Sequence, residues 1–254
     1  MDIKKEFEVY FRRELNNSYI LQVIIYEIFV KGTAYIIGGY FRDFLTNRTP
    51  RDLDILADVP HSYLLQVLDD NKIEYVVNRH NGIKVKLEEK SLDIWTVENN
   101  WAFKEDLVKL SDYDKLNSIA QGCFYNYDAL VINLHEFNYN LRHYKKFMED
   151  KILDIFYSSS EYMILNKTVE ANILRAFYIK KTYNASFSDR TRVYLINKIG
   201  ELKDMNGFPL QSLYRTLDKY PKYKSIIKMR DLASYIKEVY IAENNINNQL
   251  YLDF

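Results

Sequence analysis

Two carboxylates two positions apart, Asp52 and Asp54, lie in the β-prone run Asp52-Leu53-Asp54-Ile55 that follows Arg48-Thr49-Pro50-Arg51. Side chains at i and i+2 of a strand point to the same side, so both acids project from one face. Like charges at that spacing repel, and a hard divalent cation with oxygen ligands relieves them. Upstream, the apolar run Tyr35-Ile36-Ile37 enters Gly38-Gly39, and helix-compatible residues follow, with Arg42 and Asp43 among them. A glycine pair lets backbone amides approach an anion, and a helix start favours negative charge. Carboxylates for Mg²⁺ beside a phosphate cradle are the equipment of a nucleotidyl-transfer site. The plainer alternative is a glycine turn joining a helix and a strand, with aspartates that face water.

Several elements must position these groups. Residues 4–30 carry apolar side chains at helical spacing, with a break at Asn16-Asn17-Ser18 where Ser18 can cap a second helix. A strand over 34–37, a short helix over 41–45 and a strand over 53–57 come next. A helix from Pro60 to Asp70 and a strand over 73–77 follow. Asn81-Gly82 is a turn signal between β-type runs. The alternating run 83–87 and the run Leu92-Asp93-Ile94-Trp95-Thr96-Val97 are the strands beyond it. With Leu92 and Ile94 facing the core, Asp93 faces the other way with Ser91 and Trp95. A short helix is expected over 103–110, a polar connection over 111–117 and strand character over 124–134. Ser158-Ser159-Ser160 reads as a loop and helix start, and the pattern beyond it is helical. The expected fold is α+β: a small mixed or antiparallel sheet with flanking helices over 1–157, then an all-helical domain over 158–254.

Composition narrows the classes. At 254 residues the chain is long enough for one or two cored domains. Lysine plus arginine and aspartate plus glutamate balance at 35 each, which argues against a uniformly basic nucleic-acid coat but not against a local patch. Cys123 is the single cysteine, so no disulfide framework exists, and a reducing cytoplasm is the expected setting. No apolar run approaches membrane-spanning length, so no membrane partner is expected. The four histidines are scattered without zinc-ligand spacing. Residues 219–230 hold the densest run of cations, either a contact for an RNA backbone or a solvated helix face.

Gly38-Gly39-Tyr40-Phe41-Arg42-Asp43-Phe44-Leu45, with Arg48, Asp52, Leu53 and Asp54, resembles the head-domain signature of the tRNA nucleotidyltransferase and bacterial poly(A) polymerase family. That family lies among the DNA-polymerase-beta-like nucleotidyltransferases. The resemblance extends over residues 20–200 and is dense from 35 to 56. It implies an enzyme that moves a nucleoside monophosphate from ATP or CTP to an acceptor hydroxyl, with an RNA 3′ end as acceptor and two Mg²⁺ ions as cofactor. It further implies Asp52, Asp54 and Asp93 as metal-binding and catalytic carboxylates. Gly38, Gly39, Arg42, Asp43, Arg51, Asp128 and Arg175 are the implied nucleotide-binding residues. Arg42 either neutralises triphosphate or packs on Asp43. Asp128 either serves the ribose or caps a turn. Arg175, in Ile173-Leu174-Arg175-Ala176, either faces the nucleotide or forms an interdomain ion pair. Two departures stand out. Gly122-Cys123 falls where the family has two arginines, and the Glu-Asp-x-x-Arg pattern for base choice is missing. Both leave room for a binding module without turnover, or for transfer to a protein or small molecule. The long helical body and tail of full tRNA-processing members are expected to be missing, and the oligomeric state is not legible.

Overall fold

The computed structural model describes residues 2–50, 52–88, 90–157 and 169–250. Arg51 and the expected helix start at Ser158–Ser160 lie outside them. The chain divides into two compact units, 1–145 and 146–254.

In the first unit α1 (Ile3–Asn16) and α2 (Tyr19–Lys31) precede β1 (Thr33–Ile37), α3 (Gly39–Leu45) and β2 (Asp52–Asp58). Then come α4 (His61–Asp70), β3 (Tyr75–Val77), β4 (Ile83–Lys86), β5 (Ser91–Thr96), α5 (Trp101–Lys104), α6 (Lys115–Gln121), β6 (Val131–Asn133) and β7 (Tyr139–Asn140). The Asn16–Ser18 break is real: the Ser18 hydroxyl accepts from the Leu21 amide and starts α2, as an N-cap serine should.

The seven strands form one sheet in the order β3-β4-β5-β2-β1-β6-β7. Only β2 and β5 run parallel; the other neighbours are antiparallel. Alternation fixes its two faces. Leu53, Ile55, Ile83, Val85, Leu92 and Ile94 are buried on one side, while Lys84, Lys86, Asp52 and Asp93 stand on the other, at least partly exposed. A one-residue slip in β2 or β5 would bury the carboxylates, so the hydrophobic pattern also holds the acids outward.

An aromatic cluster ties α1 to α3. The Phe7 ring meets Phe41 at 5.0 Å and Phe44 at 4.9 Å, both edge-on, the geometry aromatic quadrupoles favour. This contact seats the glycine turn that opens α3.

Three local expectations differ from the structure. The helix expected over 103–110 ends at Lys104, and Asp106 adopts a left-handed φ of 54° that no helix continues through. Part of the polar connection over 111–117 is helical instead: Asp114 accepts from the Asn117 amide and caps α6. The strand expected over 124–134 shrinks to β6, because Asn126–Asp128 form a 3-10 turn.

Helix α7 (Arg142–Asp150) leads into the second unit, which holds β8 (Ile152–Leu153), α8 (Val169–Tyr183), β9 (Ser186–Phe187), α9 (Asp189–Asn206), α10 (Pro209–Thr216), α11 (Pro221–Lys224) and α12 (Met229–Leu250). Among its described residues the unit is mainly helical, with a short parallel pairing of β8 with β9. Its helices meet through fully buried Leu174, Phe177, Leu195, Leu213 and Leu232. No helix among the described residues is long and apolar enough to cross a membrane.

The start of α12 carries a pH-sensitive tie. Asp231 accepts from Lys181 Nζ at 2.9 Å and from the Lys228 amide at 2.9 Å, the second bond closing the helix N-terminus. The Lys181 bond first, and the Lys228 amide second, hold the Asp231 carboxyl below its ordinary range. A depressed carboxylate stabilises the fold above its unfolded pKa and loses that contribution as pH falls through the folded value. Asp231→Asn is therefore expected to lower Tm at pH 7. The gap to the parent should close as the pH drops below the usual carboxylate range, and a pH series of thermal melts checks it.

Candidate active site

Strand β2 places Asp52 and Asp54, and β5 supplies Asp93. The parallel register pairs Asp52 with Ser91 and Asp54 with Asp93. Register partners in neighbouring strands share a face, so all three carboxylates project from the open side of the sheet. Asp52 is exposed, whereas Asp54 and Asp93 are half-buried. The Ser91 hydroxyl donates to Asp52 Oδ1 at 2.8 Å and holds that side chain in place.

Asp93 is under electrostatic pressure. Burial pushes its carboxyl above the ordinary range, Lys84 pulls it back, and the charge of Asp52 adds to the push. Asp52 and Asp93 thus sense each other as like charges. Lys84 Nζ lies 3.7 Å from Asp93 Oδ2. The strand order β4-β5-β2 puts Lys84 on the side of Asp93 away from Asp52 and Asp54, so it flanks the acidic group instead of splitting it.

Among the described residues no group of three or more His, Cys, Asp or Glu side chains, Asp52, Asp54 and Asp93 included, is placed to hold a metal ion together. The donor chemistry nonetheless suits Mg²⁺, which is held through one or two carboxylates with substrate phosphates and water completing its shell. Asp52, Asp54 and Asp93 are all-oxygen donors on one face, and Asp52 and Asp93 repel each other.

The glycine turn is built by conformation. Gly38 has φ of 66° and ψ of −121°, a region L side chains rarely enter. Its own amide donates to the Leu130 carbonyl at 2.9 Å. Gly39 opens α3, whose first amides have no partner within the helix by its geometry. A phosphate cradle here would draw on Gly39 and the amides after it, with Gly38 setting the bend.

Arg42 and Asp128 are brought together. Arg42 is buried, its Nη1 donates to Asp128 Oδ1 at 3.0 Å, and its guanidinium lies 4.3 Å from the Tyr127 ring centroid. Asp43 Oδ1 is 4.0 Å from Arg42 Nε, a far weaker contact. Asp128 is buried as well. The pair bridges α3 to the 3-10 turn before β6, next to the Leu130 carbonyl that holds Gly38. Arg175 lies in α8 of the second unit, where Nη1 donates to the Tyr223 hydroxyl at 3.4 Å. Arg51 lies outside the described residues.

Sequence reasoning passed over Ser91 as a partner of Asp52 and Lys84 as a partner of Asp93. Period-two alternation carried the signal for both, since Ser91 is two residues from Asp93 and Lys84 alternates with buried Ile83 and Val85.

Residues 34–119 match the family described as the poly A polymerase head domain. This segment is similar to a poly(A) polymerase head domain. It contains the glycine turn, Arg42, Asp43, Asp52, Asp54 and Asp93, while Asp128 and Arg175 fall beyond it. No curated protein sequence matches the chain. Among solved structures, a Thermotoga maritima CCA-adding enzyme complexed with tRNA aligns with TM-score 0.59 at 13% identity, over 87% of this chain and 50% of that one. A CCA-adding enzyme with CTP gives 0.58 at 14%, over 84% and 48%. A tRNA nucleotidyltransferase with a primer tRNA and an incoming ATP analogue gives 0.54 at 15%, over 83% and 58%. At such identity the likeness is one of fold. The chain spans about half the length of these proteins. The expected α+β architecture, a mixed sheet with flanking helices and a helical second part, is the fold observed.

Proposed function

We propose that the protein is a nucleotidyltransferase that moves a nucleoside monophosphate from ATP or CTP to the 3′ hydroxyl of an RNA, releasing pyrophosphate. The observation that carries this reading is the placement of Asp52, Asp54 and Asp93 on one sheet face inside a head domain, beside the Gly38 bend. The bound substrates of the similar structures, CTP, an ATP analogue and tRNA, are consistent with it. On this reading residues 1–157 form the nucleotidyltransferase domain, and 158–254 form a helical domain that helps hold nucleotide and acceptor.

Asp52 and Asp54 would hold two Mg²⁺ ions, with Asp93 assisting at the one nearer the acceptor. A divalent ion held by these carboxylates would supply Lewis-acid chemistry to the attacking hydroxyl and the α-phosphate. Ser91 fixes the Asp52 carboxylate. Lys84 opposes the upward push that burial gives the Asp93 carboxyl. Gly39 and the amides after it offer donors to the β- and γ-phosphates. Arg42 works through Asp128, as a strut behind the bend, and is a positioning residue. Arg51 enters only by its place beside Asp52, and Asp43 by its place at the turn. Arg175 stands in the helical unit, where it donates to the Tyr223 hydroxyl.

A second reading is a nucleotide- or RNA-binding module without turnover. Gly122-Cys123 in place of two arginines and the burial of Arg42 against Asp128 favour it. Incubation with each labelled NTP, Mg²⁺ and total RNA separates the readings. Label on RNA supports transfer. NTP binding without transfer supports the module. Label only on protein or a small molecule points to a different acceptor.

A further inference from the structure

Residues 219–230 read Lys-Tyr-Pro-Lys-Tyr-Lys-Ser-Ile-Ile-Lys-Met-Arg, five cations without a carboxylate in a chain whose net charge is zero. The structure arranges the tyrosines of this run as a stack. Tyr220 and Tyr223 lie 5.3 Å apart and 19° from parallel. Tyr223 continues onto Tyr178 of α8 at 4.9 Å and 36°. Lys222 Nζ sits 5.3 Å from the Tyr178 centroid, and Arg175 donates to the Tyr223 hydroxyl. Tyr220 and Tyr223 are only half-buried, while Lys219, Lys224, Lys228 and Arg230 are exposed. The two flanking carboxylates are engaged: Asp218 pairs with Lys224 at 2.5 Å, and Asp231 with Lys181.

Aromatic rings interleaved with lysines suit one kind of partner. Unpaired bases stack on tyrosine whatever their identity, and the backbone phosphates follow the cations. A duplex hides its base faces and would engage only the charges. An acidic peptide would gain nothing from the ring stack. We propose that Tyr220 and Tyr223, with Lys219, Lys222 and Lys224, form a binding surface for single-stranded RNA on the helical unit. This deepens the transferase reading by naming where an acceptor strand is gripped, and it stands on residues that the head domain does not contain.

The test is fluorescence anisotropy of the full chain with a labelled single-stranded RNA of mixed sequence, beside a duplex of the same strand. Tyr220→Ala is expected to weaken single-strand binding about tenfold, with Tyr220→Phe binding as the parent does, because phenylalanine keeps the stacking face. Replacing Lys219, Lys222 and Lys224 together by alanine should make the salt dependence shallower by about 2 in the log–log slope. Single-strand affinity unchanged by Tyr220→Ala and by the triple substitution, or a duplex bound as tightly as the single strand, overturns the proposal. Asp54→Asn should leave RNA binding intact. Loss of transfer in that variant with binding retained therefore bears on the head domain, and loss of binding in Tyr220→Ala bears on this surface.

Discussion

Asp54→Asn is expected to abolish nucleotide incorporation, with a loss of about a thousandfold or more, or about 4 kcal/mol of transition-state stabilisation. Asparagine keeps the size of the side chain and removes its charge. The register with Asp93 places Asp54 on the line where β2 and β5 meet, at the centre of the acidic face. On the proposed reading, taking away one negative charge there would remove a metal ligand. Asp52→Asn should act in the same direction. Its Ser91 bond can persist through the amide oxygen, so the fold is not expected to change. Circular dichroism and a thermal melt would show both variants folded, and labelled ATP or CTP with RNA would report turnover. Parental turnover by either purified variant sinks the carboxylate assignment and moves the transfer chemistry to other residues.

How much of this was legible depends on the range of the forces involved. The strands that carry Asp52, Asp54 and Asp93 announce themselves by alternation, because burying one face of a sheet imposes a period of two on the sequence. The Ser18 cap and the Asn81-Gly82 turn are likewise local: each depends on a few neighbouring atoms. The side of the sheet on which Asp93 stands, with Ser91 beside it, follows from the same alternation. What local pattern does not carry is pairing at a distance. Arg42 finds Asp128 86 residues away, and no spacing rule links them. Asp128 makes that contact from the 3-10 turn over Asn126–Asp128. The β8–β9 pairing is set by tertiary placement of two-residue segments too short to carry a period. Helix α6 was missed for a different reason: Asp114 reads as loop chemistry until its cap bond to Asn117 is seen.

The buried pair gives the other large effect, and it decides what Arg42 is for. Its side chain is 7% exposed and that of Asp128 is 12% exposed, so solvent screens the contact poorly. Arg42→Met would take the Arg42 cation away from the buried Asp128 carboxylate, and breaking a buried pair from one side costs about 3–5 kcal/mol. The midpoint of urea unfolding should fall accordingly. Arg42→Met with Asp128→Leu removes both charges and should recover most of the loss, since two apolar side chains of similar bulk carry no desolvation penalty. A triphosphate ligand would behave otherwise: Arg42→Met would leave the unfolding midpoint in place and raise KM for the nucleotide. A stability loss that the double variant repairs, with turnover falling only as the glycine bend loosens, marks Arg42 as the strut that holds Gly38 and the start of α3 in position. An unshifted midpoint with weakened nucleotide binding would return Arg42 to the phosphates and leave Asp128 to be held by its other neighbours.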